Sequence, residues 1–130
     1  MLELLAPAGN LDAVIAAVQN GADAVYMGFG DGFNARRSAD NFTRESFAKA
    51  VRYCHIRGCK VYVTLNTLVG DREMEAAAAL AQQASDAGAD AILVQDLGLA
   101  RVLRDALPDI PLHASTQMSI HNLAGVEAAA

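Results

Sequence analysis

A chain of 130 residues of which 53% are hydrophobic is long enough for one domain with a sizeable core, and a 5% share of aromatic residues leaves aliphatic side chains to fill it. The net charge of −5 and the lack of a basic cluster beyond Arg36 and Arg37 argue against unaided nucleic-acid binding. Residues 1–7 have no basic segment and are too short for a signal peptide or a membrane span, so we expect a cytoplasmic protein with no membrane partner.

The predicted secondary structure alternates strictly between strands and helices. Apolar runs indicate strands, and apolar residues at helical spacing indicate helices. In chain order we predict a strand at 2–7, a helix at 11–20, a strand at 24–28, a helix capped by Thr43, a strand at 60–66, a helix opened by Asp71, a strand ending at 95–96, a helix at 97–107, a strand at 112–115 and a helix from 122. The connection from 29 to 42 shows neither the helical nor the alternating spacing of apolar residues, and connections this long are usually functional or disordered.

One phrase recurs along the chain and indicates a repeated unit. Residues 21–28, Gly-Ala-Asp-Ala-Val-Tyr-Met-Gly, return as residues 88–96 and, more loosely, as residues 58–66. In the copy at 88–96 a glycine closes a helix, an apolar run follows, and polar side chains appear where the run stops. Buried strands that alternate with helices predict a parallel sheet with right-handed crossovers.

Two architectures are compatible with such a sheet. A doubly wound sheet would be complete at this length, whereas a TIM barrel needs about eight strand and helix units. We favour the barrel because no Gly-rich phosphate turn follows the first strand, and because residues 122–129 repeat the frame of residues 10–17 and stop inside that helix. The prediction is an α/β fold, the N-terminal five-strand portion of a TIM-like (β/α)8 barrel with a parallel sheet, in which residues 1–130 form one incomplete domain. Its open edges and apolar face predict self-association of this chain alone.

Side-chain alternation predicts which residues face the barrel interior. In the third strand the inward residues should be Tyr62, Thr64 and Asn66, and the residues facing the helices should be Val61, Val63 and Leu65. Aligning Gly58 with Gly88 assigns the matching inward positions of the fourth strand to Ile92, Val94 and Asp96. The fifth strand adds His113, Ser115 and Gln117, and the first strand adds Glu3. Barrel enzymes carry their chemistry at the carboxyl ends of such strands.

Asp96 stands out among these residues, since a carboxylate at a strand end could act as a base or a ligand. The alternative is that Asp96 only caps the following helix. Asn66 and Thr67 could either contact a substrate or form hydrogen bonds within a turn. His113 could either take part in catalysis or belong to the core. Arg36 could clamp a carboxylate or a phosphate, or be solvated.

The cysteines are not expected to carry chemistry. Cys54 and Cys59 lack His or Cys companions at a metal-ligand spacing, which predicts buried free thiols and no metal site. The two-residue spacing of His113 and Ser115 is not a triad, and no Gly-x-Ser-x-Gly elbow occurs. The predicted site residues are, for catalysis, Asp96, Asn66 and His113 and, for substrate binding, Glu3, Arg36, Thr67, Gln95, Ser115 and Gln117.

Several motifs along the chain carry a resemblance to a known family. They are residues 3–9, residues 21–26, Phe33 with Arg36 and Asn41-Phe42, His55 with Gly58, residues 60–67, residues 94–98, and residues 113–118 with Asn122. In this order they resemble the N-terminal region of the collagenase-like peptidase family U-32. The resemblance implies a TIM-like barrel and a peptidase of unassigned catalytic type that acts on a peptide or a small molecule.

The same resemblance implies a second function. Relatives in this family resemble iron-sulfur proteins that assist oxygen-independent hydroxylation of RNA bases or of a quinone precursor, with cluster-binding cysteines in a later part of the chain. Cys54 and Cys59 do not match those cysteines, so we expect no cofactor in these 130 residues and an RNA partner only for a full-length protein. A non-catalytic binding module is the third alternative.

Overall fold

Five strands lie side by side in the order in which they occur along the chain, and every neighbouring pair is parallel. The computed structural model describes residues 1–35 and 41–130. The strands are β1 (Leu5–Pro7), β2 (Ala24–Met27), β3 (Lys60–Leu65), β4 (Ala91–Val94) and β5 (Leu112–Ala114). The helices are α1 (Leu11–Gln19), α2 (Arg44–Ile56), α3 (Met74–Asp86), α4 (Leu97–Ala106) and α5 (Leu123–Ala129). Short 3-10 turns at Asp71–Glu73 and Thr116–Met118 precede α3 and α5.

The strand order decides between the two predicted architectures. In a doubly wound sheet the order reverses part-way across, so spatial neighbours are not all neighbours in the chain. Here each strand pairs with the strand before it, which is the pattern of a (β/α) barrel. The predicted α/β fold is therefore confirmed, and the sheet is a five-stranded part of a TIM-like barrel.

Most element boundaries fall within a residue or two of the prediction, with two clear differences. β1 begins at Leu5 rather than Leu2, which is 97% exposed and has no neighbouring strand to pair with. The third helix was expected to begin at Asp71, but that residue opens a 3-10 turn and α3 begins at Met74. Both differences lie at element ends, where backbone hydrogen bonds are weakest.

Side chains cap three of the helices at their first turn, and the cap at Thr43 was predicted from the sequence. The side-chain oxygens of Asn10, Thr43 and Asn122 each accept a hydrogen bond from the backbone N–H three residues later. Ser46 completes a capping box by bonding back to the N–H of Thr43, 2.9 Å away. These caps satisfy N–H groups that have no partner within the helix, so each helix begins at a defined residue.

The core lies between the sheet and the helices. Alternate side chains of β2, β3 and β4 pack there against side chains of α2 and α4. The strand residues Val25, Val61, Val63 and Ile92 and the helix residues Phe47, Leu99 and Leu103 are all 0% exposed. The opposite face of the sheet carries a smaller cluster of Ala24, Tyr62 and Ala91, with Tyr26 and Leu93 partly buried beside it. That second face is the one that would line a barrel.

The predicted facing of the fourth strand is wrong by one residue. Val63 pairs with Ile92, and Ile92 and Val94 pack on the helix side. The inward residues of β4 are therefore Ala91 and Leu93. The cause is a junction one residue shorter before β4: Tyr62, four residues after Gly58, pairs with Ala91, which lies only three residues after Gly88, so aligning the two glycines shifts one strand against the other.

The repeated aspartate holds the amino ends of the strands. The Asp23 carboxylate accepts a hydrogen bond from Leu4 N at 2.7 Å, just before β1. Asp90 accepts one from Val61 N in β3 at 2.7 Å and also lies 2.8 Å from His55 Nε2 of α2. Each aspartate thus occupies a backbone donor on the preceding strand of the sheet, which gives the Gly-Ala-Asp phrase a structural role.

We expect Asp90→Ala to lower the free energy of unfolding by about 2 kcal/mol, because a charge-assisted hydrogen bond to Val61 N is lost. The Val61 amide should also exchange its hydrogen faster. Hydrogen exchange measured residue by residue checks the local effect, and chemical denaturation checks the global one.

Asp105→Ala is the matched control, since Asp105 is 71% exposed and forms only a surface pair with Arg101. It should change stability by less than about 0.5 kcal/mol. Equal effects of the two substitutions would contradict the role of Asp90.

None of the helices in the described ranges 1–35 and 41–130 is both long and apolar enough to cross a membrane.

Candidate functional site

A cavity of about 500 Å³ opens at the carboxyl ends of the strands. We call it the mouth, and it is bounded by strand ends and by the loops that follow them. Its polar lining residues are Tyr26, Asn34, Thr64, Asn66, His113, Ser115, Thr116 and Gln117. None of its lining residues is Asp, Glu, Lys or Arg within the described part of the chain. The described lining therefore offers amides, hydroxyls and aromatic rings for hydrogen bonds and ring contacts.

Asn66, at the end of β3, connects two walls of the mouth. Its Oδ1 accepts a hydrogen bond from Ala35 N at 3.0 Å, and its Nδ2 donates to Ser115 Oγ at 3.2 Å. One side chain therefore holds the loop after β2 and the end of β5 together. Asn66 and Ser115 were predicted to meet here, and the structure confirms that meeting.

Ser115 and His113 form the wall supplied by β5. Ser115 is only 6% exposed, and its Oγ lies 3.4 Å from Gln117 N as well as near Asn66. The His113 ring packs edge-on against Tyr62, with 4.9 Å between ring centroids. Both side chains lie on the interior face, as the alternation predicted for this strand.

Gly28 allows the loop to close over the end of β2. A Cβ at this position would collide with Asn34 Nδ2 and Asn41 Oδ1, which form a hydrogen bond of 3.1 Å to each other. A side chain at position 28 would therefore displace this pair of asparagine side chains. Asn34 lines the mouth and was not predicted, because the loop that carries it has no periodic pattern.

Asp96 does not line the mouth. Its Oδ1 accepts a hydrogen bond from Leu99 N at 2.7 Å, which caps α4, and its Oδ2 accepts one from Val69 N at 3.3 Å. The expectation that Asp96 gathers with Asn66 and Ser115 is wrong. Because Leu65 pairs with Val94, the position level with Asn66 is Gln95, and Asp96 turns toward the helix side.

Glu3 lies at the other end of the barrel interior, near the amino ends of the strands. Its two carboxylate oxygens lie 2.8 and 2.9 Å from Tyr62 Oη, which donates to them, and one of them lies 3.6 Å from Lys60 Nζ. Burial, followed by this hydrogen bond to the Glu3 carboxylate, raises the pKa of Tyr62 to about 12. The contacts of Glu3 are with these two residues and not with the mouth.

The remaining predicted site residues are scattered. Thr67 lines a second cavity of about 490 Å³ beside Asn34, Asn41 and Glu73. Gln117 lines the mouth, whereas Gln95 lines neither cavity. Arg36 lies outside the residues that the structure describes. Tyr26 and Thr64 line the mouth but were not predicted as site residues, although the alternation that selected Asn66 also applies to Thr64.

The two cysteines are free and buried, as predicted. Burial, together with the neighbouring Cys59 thiol, raises the pKa of Cys54 to about 12, so this thiol stays protonated near neutral pH and is a poor nucleophile. No group of three His, Cys, Asp or Glu side chains within 1–35 and 41–130 is arranged to hold a metal ion.

Residues 9–130 match the family model described as Peptidase family U32. The chain belongs to this family. The resemblance noted in the sequence is therefore confirmed over almost the whole chain.

Curated relatives of this U32 chain carry different names. It is 43% identical over 122 residues to the 23S rRNA 5-hydroxycytidine C2501 synthase of Escherichia coli, covering 94% of this chain and 18% of the relative. It is 38% identical over 125 residues to tRNA hydroxylation protein P1 of Bacillus subtilis, and the match covers 96% of this chain and 29% of the relative. It is 35% identical over 121 residues to a collagenase of Porphyromonas gingivalis, covering 92% and 28%. The chain thus spans less than a third of each of these relatives.

A solved structure with the same fold is that of the U32 peptidase Mk0906. The two superpose with a TM-score of 0.71 at 18% sequence identity, over 90% of this chain and 50% of the other. This likeness supports the partial barrel described above.

We expect Asn66→Ala to speed hydrogen exchange at the Ala35 amide, because the acceptor of that N–H is removed. Asn66→Asp should keep the amide protected, since a carboxylate oxygen still accepts from it. Residue-resolved exchange distinguishes the two variants. Asn20→Ala, at an exposed helix end, should leave Ala35 unchanged. Unaltered exchange in Asn66→Ala would contradict the bridging role.

Spectrophotometric titration should show one phenol that ionises only near pH 12, and Tyr62→Phe should remove this phase. Because the raised pKa favours the neutral phenol in the folded state, the associated stabilisation is present below pH 10 and is lost as pH rises toward 12. Stability measured across this window should fall less steeply in Tyr62→Phe. Identical profiles of variant and wild type would refute the burial of the Tyr62 hydroxyl beside Glu3.

Proposed function

We propose that the protein containing this chain acts in the hydroxylation of an RNA base, and that the mouth binds an uncharged part of a substrate. The observation that carries this proposal is the 43% identity to a 5-hydroxycytidine synthase over 122 residues. The 38% identity to a tRNA hydroxylation protein points the same way.

The geometry of the mouth favours binding over hydrolysis. A hydrolytic serine needs a base that accepts its proton, but Ser115 and His113 form no hydrogen bond with each other among the described contacts. The Asp96 carboxylate is occupied by Leu99 N and Val69 N. The side chains that face the mouth are amides, hydroxyls and aromatic rings, which orient a ligand by hydrogen bonds and ring contacts.

The acidic net charge favours contacts with the RNA phosphates by parts of the full-length protein outside these 130 residues. With a net charge of −5 and a neutral mouth, these 130 residues offer little electrostatic attraction for phosphates. In this proposal the mouth recognises part of a base or a small co-substrate, and basic surfaces and any iron-sulfur cluster belong to other parts of the full-length protein. RNA modification also agrees with a cytoplasmic location.

A peptidase is the second candidate, and the collagenase relative at 35% identity is the observation that favours it. In that case the neutral mouth would hold a peptide carbonyl or amide, and a nucleophile or metal would come from outside the described residues.

Deletion and rescue of the gene tests the two candidates. Nucleosides from ribosomal and transfer RNA are compared by mass spectrometry in wild-type and deletion strains. We expect a hydroxylated pyrimidine to disappear on deletion and to return with the wild-type gene or with Asp105→Ala, which changes only an exposed surface pair.

The contrary result is an unchanged nucleoside profile together with gelatin cleavage by the purified full-length protein. That pair of findings would replace the hydroxylation proposal with the peptidase.

A further inference from the structure

The hydroxyl proton of Ser115 has no acceptor among the described residues. A serine hydroxyl carries one donor and two lone pairs. Asn66 Nδ2 donates to Ser115 Oγ at 3.2 Å and Gln117 N approaches it at 3.4 Å, so both lone pairs face donors. With both lone pairs used in this way, the O–H bond is directed away from the two donors, and Ser115, which lines the mouth, is only 6% exposed. A buried donor without a partner is costly, and a ligand that supplies an acceptor removes that cost.

The orientation of Asn66 enforces this arrangement. Ala35 N is a backbone donor, so the atom of Asn66 that lies 3.0 Å from it has to be the oxygen Oδ1. The amide nitrogen must then face Ser115, which can only accept from it. The hydrogen bonds therefore run in one direction, from Ala35 through Asn66 to Ser115, whose own proton is left for an acceptor outside the described residues.

His113 supplies a second contact beside Ser115. The two residues lie two positions apart on the interior face of β5, and both line the mouth. Neither ring nitrogen of His113 hydrogen-bonds to a described residue, and the ring is held only by its edge contact with Tyr62. A ligand that accepts from Ser115 thus lies next to an imidazole that is free to donate or accept.

The lining of the mouth selects the kind of acceptor. The described lining residues offer amide, hydroxyl and ring groups, and a carbonyl oxygen can accept from such donors without the cost of desolvating a full charge. A flat ring can also lie against the aromatic surface that Tyr26 and His113 provide.

We propose that Ser115 donates a hydrogen bond to the carbonyl oxygen of a pyrimidine base that has left its stack and entered the mouth, with Asn66 as the positioning residue. This inference rests on the proposed function, because RNA hydroxylation makes a base the relevant neutral ring. Enzymes that act on a base commonly take it out of the stack in this way.

The test measures binding of three short single-stranded RNAs to the full-length protein. They are identical except at one position, which is a cytidine, a 2-thiocytidine in which sulfur replaces the carbonyl oxygen, or an abasic site. The wild type should bind the cytidine RNA about three- to tenfold more tightly than the 2-thiocytidine RNA, the value of one neutral hydrogen bond. Ser115→Ala should remove this preference, and Ser115→Thr, which keeps the hydroxyl, should retain it.

Asn66→Asp tests whether Asn66 acts by orienting the Ser115 hydroxyl or only by holding the loop in place. A carboxylate still accepts from Ala35 N but also accepts the Ser115 proton, so this variant should keep the loop in place and lose the preference for cytidine. Melting temperatures within error of the wild type establish that each variant is folded, and the comparison among RNAs within one variant is independent of small changes in stability.

Two results would overturn the inference: equal binding of the three RNAs by the wild type, or a preference for cytidine that persists in Ser115→Ala. If either occurs while the deletion strain still lacks a hydroxylated pyrimidine, the base lies elsewhere and the proposed function stands. If the deletion leaves every nucleoside unchanged, the proposed function fails on its own evidence.

Discussion

Parallel pairing between successive strands is the constraint on which the rest of this structure depends. Because all five strands point the same way, residues that follow each strand meet at one rim even when they are far apart in the chain. Asn66 contacts residues 31 and 49 positions away, at Ala35 and Ser115. The aspartates of the Gly-Ala-Asp phrase support this pairing at the opposite rim by occupying backbone donors at the start of β1 and β3.

The rim separates groups that cap helices from groups that face the mouth. Asp96 begins α4, and its carboxylate is used by two backbone N–H groups. The mouth is left with amides, hydroxyls and rings, whose orientations depend on one another. In the proposed function, these groups select a ligand by the geometry of their hydrogen bonds. The family shown by residues 9–130 includes relatives named for RNA hydroxylation and for proteolysis, and both kinds of substrate contain neutral carbonyl groups.

Side-chain alternation predicted the interior residues correctly in two strands and failed in one. In β3 the apolar residues do face the helices, and in β5 His113 does face inward. In β4 the prediction depended on the spacing between a glycine and the strand, and that spacing differs by one residue between the copies of the repeat. A period of two converts a one-residue error into the opposite face, so Ile92 and Val94 were assigned to the wrong side.

The sequence alone determined the alternation of strands and helices, the cap at Thr43, and the parallel class of the sheet, because these follow from local hydrogen bonding and from hydrophobic period. It also selected Asn66 and Ser115, since side-chain alternation assigns both to the interior face of the sheet. Only the tertiary structure decided the register of β4, the turning of Asp96 toward α4, and the bond from Ala35 to Asn66. These depend on distances between segments remote in the chain, which packing sets and local sequence does not encode.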